Sequence, residues 1–258
     1  MSDLLMRDAA PFDAAVWEQI DAVVKANARQ QLVGRRFIHL FGPLGAGAVA
    51  VPQNRLAAEG EIRVAERDLI ALETLQRDFI LAYEDITMAQ QMNLPLDLSP
   101  VAQASTQLAR QEDELIFASL RKTKGTLSVP IGEWDQAGGA FAAVSAALEK
   151  LTSAGVYGPY ALVTGTAMYH QMQRVMKGTG RLEIKHVQDL LDDKVYFSPV
   201  LKAGEGFLVA NSAYNLDLAI AQDMITAYTG NEALDHGFRM MEKLVLRVKR
   251  PQAVCLIK

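Results

Sequence analysis

The sequence predicts an α+β chain, and three observations carry that expectation. Two long stretches, about 100–121 and 139–153, repeat apolar residues at helical spacing. Short apolar strands alternate with helices from about 128 to 215, as in a compact block of strands covered by helices. From 216 onward, apolar and polar residues alternate as in a half-buried antiparallel sheet. The chain has 258 residues, half of them hydrophobic, enough to bury one large core or two modest ones.

The elements follow in order. Asp13 to Leu32 reads as an amphipathic helix, with Val16, Ile20, Val23, Val24 and Leu32 recurring at helical spacing. Asp13 is its N-cap candidate and Gly34 its stop. No sheet precedes it, so its apolar face must pack on something distant in sequence or on a partner. Phe37 to Phe41 is a short apolar run ended by Gly42-Pro43. Between Ala48 and Asp85 the pattern turns extended and charged: Glu61 to Ala65 alternates, and Arg77 to Tyr83 does so less cleanly. A long hairpin of that composition has too little apolar surface to fold alone. It must lie on a core or reach across to a neighbouring subunit.

Ser99 can cap the next helix, and Pro100 fits its first turn. Val101, Leu108, Leu115 and Ile116 supply its buried stripe, and Gly125 closes the segment. The helix at 139–153 buries Phe141, Val144, Leu148 and Leu151, and Gly155 ends it. Tyr160 to Val163 is a short buried strand. A helix through Met168, Met172 and Met176 follows, the three sharing a face at i, i+4 and i+8; core packing outranks a soft binding surface. Lys177 to Gly180 is a loop, Val187 to Leu191 a helix, and Val195–Phe197 and Gly206–Val209 are strands. Leu216–Ala221 and Lys243–Val248 read as antiparallel strands, and Pro251 sets off Val254–Ile257. The chain divides at 1–40, 41–85, 86–127, 128–215 and 216–258. A C-terminal sheet, a charged arm and a lone N-terminal helix all need distant support, the pattern of folding coupled to assembly.

The search for chemistry excludes several classes. The net charge is −4 and the basic clusters, Arg35-Arg36 and Arg121 to Lys124, are short, so nucleic-acid binding has little support. No apolar run has the length of a membrane span, and Met1 to Leu5 lacks the basic and apolar regions of a secretory signal. A cytoplasmic protein is the expectation. The single cysteine, Cys255, sits in an apolar ending and reads as a buried structural thiol. His39, His170, His186 and His236 occur singly, with no second metal ligand at a ligating spacing. Glu112, Asp113 and Glu114 are consecutive, about 100° apart around a helix, so they read as helix-surface charge pairing with Arg110 or Arg121. Gly42 to Gly47 lacks the lysine of a phosphate loop and the third glycine of a dinucleotide fingerprint, and no nucleophile elbow occurs. The chain therefore reads as a structural or binding protein, not an enzyme, with no catalytic residue, metal or cofactor.

An ordered set of segments then resembles one family. Trp17 to Asp21, the turn Leu32 to Phe37, Gly42 to Gly45, Glu112 to Phe117, Gly158 to Val163, Ala221 to Tyr228 and Leu244 to Leu256 are similar, in that order, to encapsulins, the shell proteins of prokaryotic nanocompartments. The resemblance implies the tailed-phage capsid fold of the Hong Kong 97 type, with a peripheral domain, an axial domain and an extended loop. The helix at 100–121 is then the spine of the peripheral domain, 48–80 the extended loop that overlaps a neighbour, and 128–215 the axial domain. Its loop Lys177, Gly178, Thr179, Gly180 and Arg181 faces a five-fold opening, and the N-terminal helix lines the interior.

The implied function is a self-assembling icosahedral shell, roughly sixty copies by repeated heterologous contacts. It encloses a cargo enzyme, such as a dye-decolorizing peroxidase or a ferritin-like protein, through that enzyme's C-terminal targeting peptide. Leu32, Arg35, Phe37, His39 and Ile225 match the family's cargo-peptide groove. Relatives that hold a flavin use a tryptophan near the position of Glu84; none stands there, so no flavin is expected. The alternative is a phage or prophage major capsid protein, disfavoured by the net charge and by the helix at 13–32.

Overall fold

A computed structural model describes residues 4–56, 63–176 and 178–258. Helix α1 (Ala14–Gln31) opens with Asp13 as its N-cap, the carboxylate accepting from the Val16 N–H at 2.9 Å. It ends when Leu32 turns extended, and Gly34–Arg36 forms a separate short 3-10 turn, so Gly34 is not the stop. Trp17, Ile20 and Val24 are buried against residues far along the chain, among them Val101, Leu108, Tyr228 and Phe238. The lone helix thus finds its support within its own chain.

Strand β1 (His39–Phe41) leads to an antiparallel arm of β2 (Ala50–Leu56) and β3 (Val64–Ala71). The alternating run at 61–65 lies partly outside the described residues. The root of the arm rests on the body: Val51 and Leu72 pack with Ala219, Ala221 and Val245. Gln53 Nε2 donates to the Val248 carbonyl at 2.8 Å. On the facing strand, opposite Pro52, Leu69 is 76% exposed. Strand β4 (Glu73–Leu81) then leaves the arm, and α2 (Tyr83–Met92) follows with Ile86 as its buried residue.

The long helix α3 (Ser99–Lys122) has Pro100 in its first turn. Its N-cap position is Leu98, without a side-chain cap, so Ser99 is the first helical residue and not the cap; Asp97 Oδ1 accepts from both the N–H and the hydroxyl of Ser99, at 2.9 and 2.6 Å. One face buries Val101, Leu108, Ile116, Phe117 and Leu120. It also buries Glu112 and Asp113, so these two are not surface charge; Glu114 is, paired with Arg110 at 3.0 Å.

The middle block comprises β5 (Leu127–Val129), α4 (Gly139–Ser153), β6 (Tyr160–Gly165), α5 (Thr166–Gln171), α6 (Glu183–Leu190), β7 (Val195–Ser198) and β8 (Gly206–Ala210). Helix α5 is shorter than its apolar period suggests. Met172 caps it and Met176 lies beyond, so the three methionines do not share a helical face. Met168 and Met172 both enter the core, and the Trp134 indole N–H donates at 3.0 Å to the Met168 carbonyl, which also accepts from the Met172 N–H at 3.4 Å.

Two long strands follow, β9 (Leu216–Glu232) and β10 (Asp235–Val248), joined through Ala233 and Leu234, both at positive φ as a two-residue hairpin of twist-matching hand requires. They form the centre of a four-stranded sheet in the order β1-β9-β10-β4. Last comes β11 (Val254–Ile257). Its sequence pattern groups it with the terminal sheet; it instead enters the five-stranded sheet, order β5-β11-β8-β6-β7. Helices α1 and α3 pack on the four-stranded sheet, and α4 on the five-stranded one.

Candidate functional site

The four-stranded sheet and α1 leave a groove of about 790 Å³ between them. Val24 and Ala28 on one face of the helix, with Leu32 just past its end, form one wall. Asp223, Met224 and Ile225 of β9 form the other. Strand β1 covers β9 only as far as Ala219, and the N–H groups of Leu44 and Gly45 extend that cover to the carbonyls of Ile220 and Ala221. Residues 223–225 lie just past that cover, where β9 opens on the groove.

One end of the groove is closed by Leu5 and Arg7. The Tyr228 N–H donates to the Leu5 carbonyl at 2.9 Å. Arg7 forks onto Asp21 at 2.8 Å, donates to the Thr226 carbonyl at 3.0 Å and stacks 4.5 Å over the Trp17 ring.

The floor is held by the turn at Gly34–Arg36. Asp113 accepts from the N–H groups of Val33 and Gly34, at 3.1 and 2.9 Å, which fixes the turn on α3. Burial pushes its carboxyl up to about 6. Arg35 runs inward from the turn, its Nη2 2.6 Å from Glu112 and 3.1 Å from Glu242, and its Nη1 2.8 Å from Asp223. Burial works against the charge of Arg35, but these carboxylates outweigh it and hold the guanidinium protonated. Burial, then the charge of Glu112, pushes Glu242 well above the usual carboxylate range.

The family described as "Encapsulating protein for peroxidase" matches residues 1–245. The type 1 encapsulin shell protein EncA of Myxococcus xanthus is 37% identical over the whole of this chain and 97% of its own length. The chain belongs to the encapsulin family. Its fold agrees. A virus-like particle from Pyrococcus furiosus superposes with a TM-score of 0.84 at 17% identity, over 94% of this chain and 99% of that one. Mycobacterium phage Che8 superposes with a TM-score of 0.66 at 15% identity, over 88% and 91%. The encapsulin thus has the Hong Kong 97-type capsid fold, and its family match favours a shell protein over a phage capsid protein.

Of the residues the resemblance assigns to this encapsulin's groove, the structure brings together Leu32, Arg35 and Ile225. Phe37 is not among the lining residues: it is 4% exposed, packs in the core between the sheets and stacks on Tyr196 at 6.0 Å. His39 is exposed on β1 and does not line the groove either. The described part of the other assigned segment, Gly178 to Arg181, forms a tight reversal; Lys177 lies outside the described residues. Gly178 and Gly180 have positive φ, the Met176 N–H donates to the Arg181 carbonyl, and Arg181 pairs with Asp189 at 3.0 Å.

Sequence reasoning missed Leu5, Arg7, Ala28, Met224 and Glu242. The spacing of Val24, Ala28 and Leu32 was a usable signal. Glu242 sits 207 residues from Arg35, and no local pattern announces that pairing. Among the described residues, no group of three or more His, Cys, Asp or Glu could hold a metal, and no helix is long and apolar enough to cross a membrane.

Proposed function

We propose that this encapsulin assembles with roughly sixty copies of itself into a closed icosahedral shell in the cytoplasm and encloses a cargo enzyme. The observation that carries assembly is the arm: its root is fixed on the body by Val51, Leu72 and Gln53, while Leu69 stands exposed. An exposed apolar residue on an anchored arm suits a contact with a second copy. In this reading α1, α3 and the four-stranded sheet form the peripheral domain, and the five-stranded sheet the axial domain. The loop at 178–181 lines a small-molecule opening at the five-fold axis. Catalysis belongs to the cargo, with the family's printed description favouring a peroxidase and a ferritin-like protein as the other candidate.

Cargo is captured in the groove. An extended, partly apolar peptide lies along β9 at Asp223–Ile225, with its apolar side chains against Val24, Ala28 and Leu32. The test is direct. Purified protein should elute as a megadalton particle, and deletion of 50–71 should leave monomers or dimers. Mass spectrometry of the particles should identify a co-purifying enzyme, and Ile225→Asp should lower its amount at least several-fold with the particle intact. Particles that assemble without the arm, or Ile225→Asp particles that load as much enzyme as the wild type, would refute the respective assignment.

A further inference from the structure

Below the groove lies a charge arrangement that peptide capture does not require. The side chains of Glu112 on α3 and Glu242 on β10 are both fully buried, and both reach the same nitrogen of Arg35. Glu242 Oε1 is buried without a hydrogen-bond donor among the described residues. The Glu112 carboxylate converges with that of Glu242 on Arg35 Nη2, at 2.6 Å against 3.1 Å for Glu242. Two ionised carboxylates have no proton to place between them, and their contact is repulsive. A single shared proton converts it into a strong O–H···O bond and gives the orphaned oxygen a partner.

The charge balance points the same way. The charged groups facing the pair are Arg35 from the turn, Asp113 from α3 and Asp223 from β9, with Arg36 of the turn acting on Asp113. Asp223 is 64% exposed and already accepts from Arg35 Nη1. Asp113 is occupied by the backbone of the turn. One buried guanidinium therefore faces two fully buried glutamates, an excess of negative charge that low-dielectric surroundings do not tolerate.

We infer that Glu112 and Glu242 share one proton, and that this proton latches Arg35 and the groove floor in place until rising pH removes it. The latch stands whether or not a peptide fills the groove; only its consequence for cargo rests on the proposed function. Its sign follows from the elevation of Glu242. A carboxyl whose folded value lies above its unfolded one stabilises fully below the unfolded value, and that contribution is lost as pH rises through the folded value. The encapsulin should therefore weaken on the alkaline side, at the turn Gly34–Arg36 first.

The experiment uses the assembled particle. At about pH 8 Asp113, with its value near 6, is ionised. The infrared spectrum of the wild type should then retain the C=O band of a protonated carboxyl, and Glu242→Gln should lose it. Because the proton is shared, Glu112→Gln should lose it too, which covers the case where one variant fails to assemble. Between pH 7 and 10 the melting temperature of the wild type should fall more steeply than that of either variant. A wild type without the band, a band that survives in the variants, or superimposable melting profiles would each overturn the latch.

Discussion

Arg247 of β10 forks onto Asp217 of β9 with both nitrogen–oxygen distances at 2.7 Å, and its remaining nitrogen reaches across to the Pro52 carbonyl at the root of the arm. Both side chains are nearly buried, and Lys249 adds a contact to Asp217 at 2.6 Å. The pair therefore sets the direction in which the arm leaves the body. Replacing Asp217 by Asn strands a buried guanidinium, which costs about 3–5 kcal/mol. Thermal denaturation should register that loss, and size-exclusion chromatography should show a smaller fraction of particles, since a misdirected arm meets its neighbour badly.

Gly34 touches the spine helix closely. A Cβ there would stand 2.5 Å from Ile116 Cδ1, and Ile116 is fully buried. Gly34→Ala should cost about 1–3 kcal/mol by overpacking. Ile116→Val removes the offending methyl, so the double variant should be more stable than the two single losses predict. Urea denaturation of all four proteins measures the coupling, and strict additivity would contradict the contact.

Phe37 distinguishes core from groove. Phe37→Ala should destabilise the fold by about 3–5 kcal/mol. Particles that still form should carry a normal cargo load, in contrast to Ile225→Asp, because Phe37 packs on Tyr196 and faces no peptide. Cargo per particle, read by quantitative mass spectrometry, separates the two positions.

Asp113 predicts a second pH dependence, apart from the alkaline one. Its carboxyl is raised from 3.8 to about 6, chiefly by burial. Its contribution is complete below the unfolded value and lost as pH rises through about 6. The urea midpoint of the wild type should therefore decline between about pH 4 and 6 relative to Asp113→Asn, in which this position no longer titrates.

How much of this was legible in the sequence depended on whether the signal was local. The helix at Gly139–Ser153 could be read to its ends, because its apolar period is unbroken and glycines flank it. Val24 and Leu32 of the groove wall were legible from helical spacing in the same way, whereas Ala28, the small residue between them, was passed over. Strands β9 and β10 extend well past their readable runs. Register shifts near Gly237, Met241 and Lys243 break the two-residue alternation on which strand reading depends. Phe37 could not be assigned correctly from its position beside Arg35: the 3-10 turn sends one side chain toward the groove and the other into the core. Glu112 looked like surface charge because its partners, Arg35 and Glu242, arrive from 77 residues before it and from a strand near the end of the chain.

The position of β11 carries a consequence for folding. It lies inside the five-stranded sheet, paired with β5 on one side and β8 on the other. Without residues 254–257 the facing edges of β5 and β8 would have no strand between them, and the packing of Val254, Cys255 and Ile257 would be missing. Because β10 belongs to the four-stranded sheet and the next strand, β11, to the five-stranded one, these neighbours in the chain tie the two sheets into one cooperative unit.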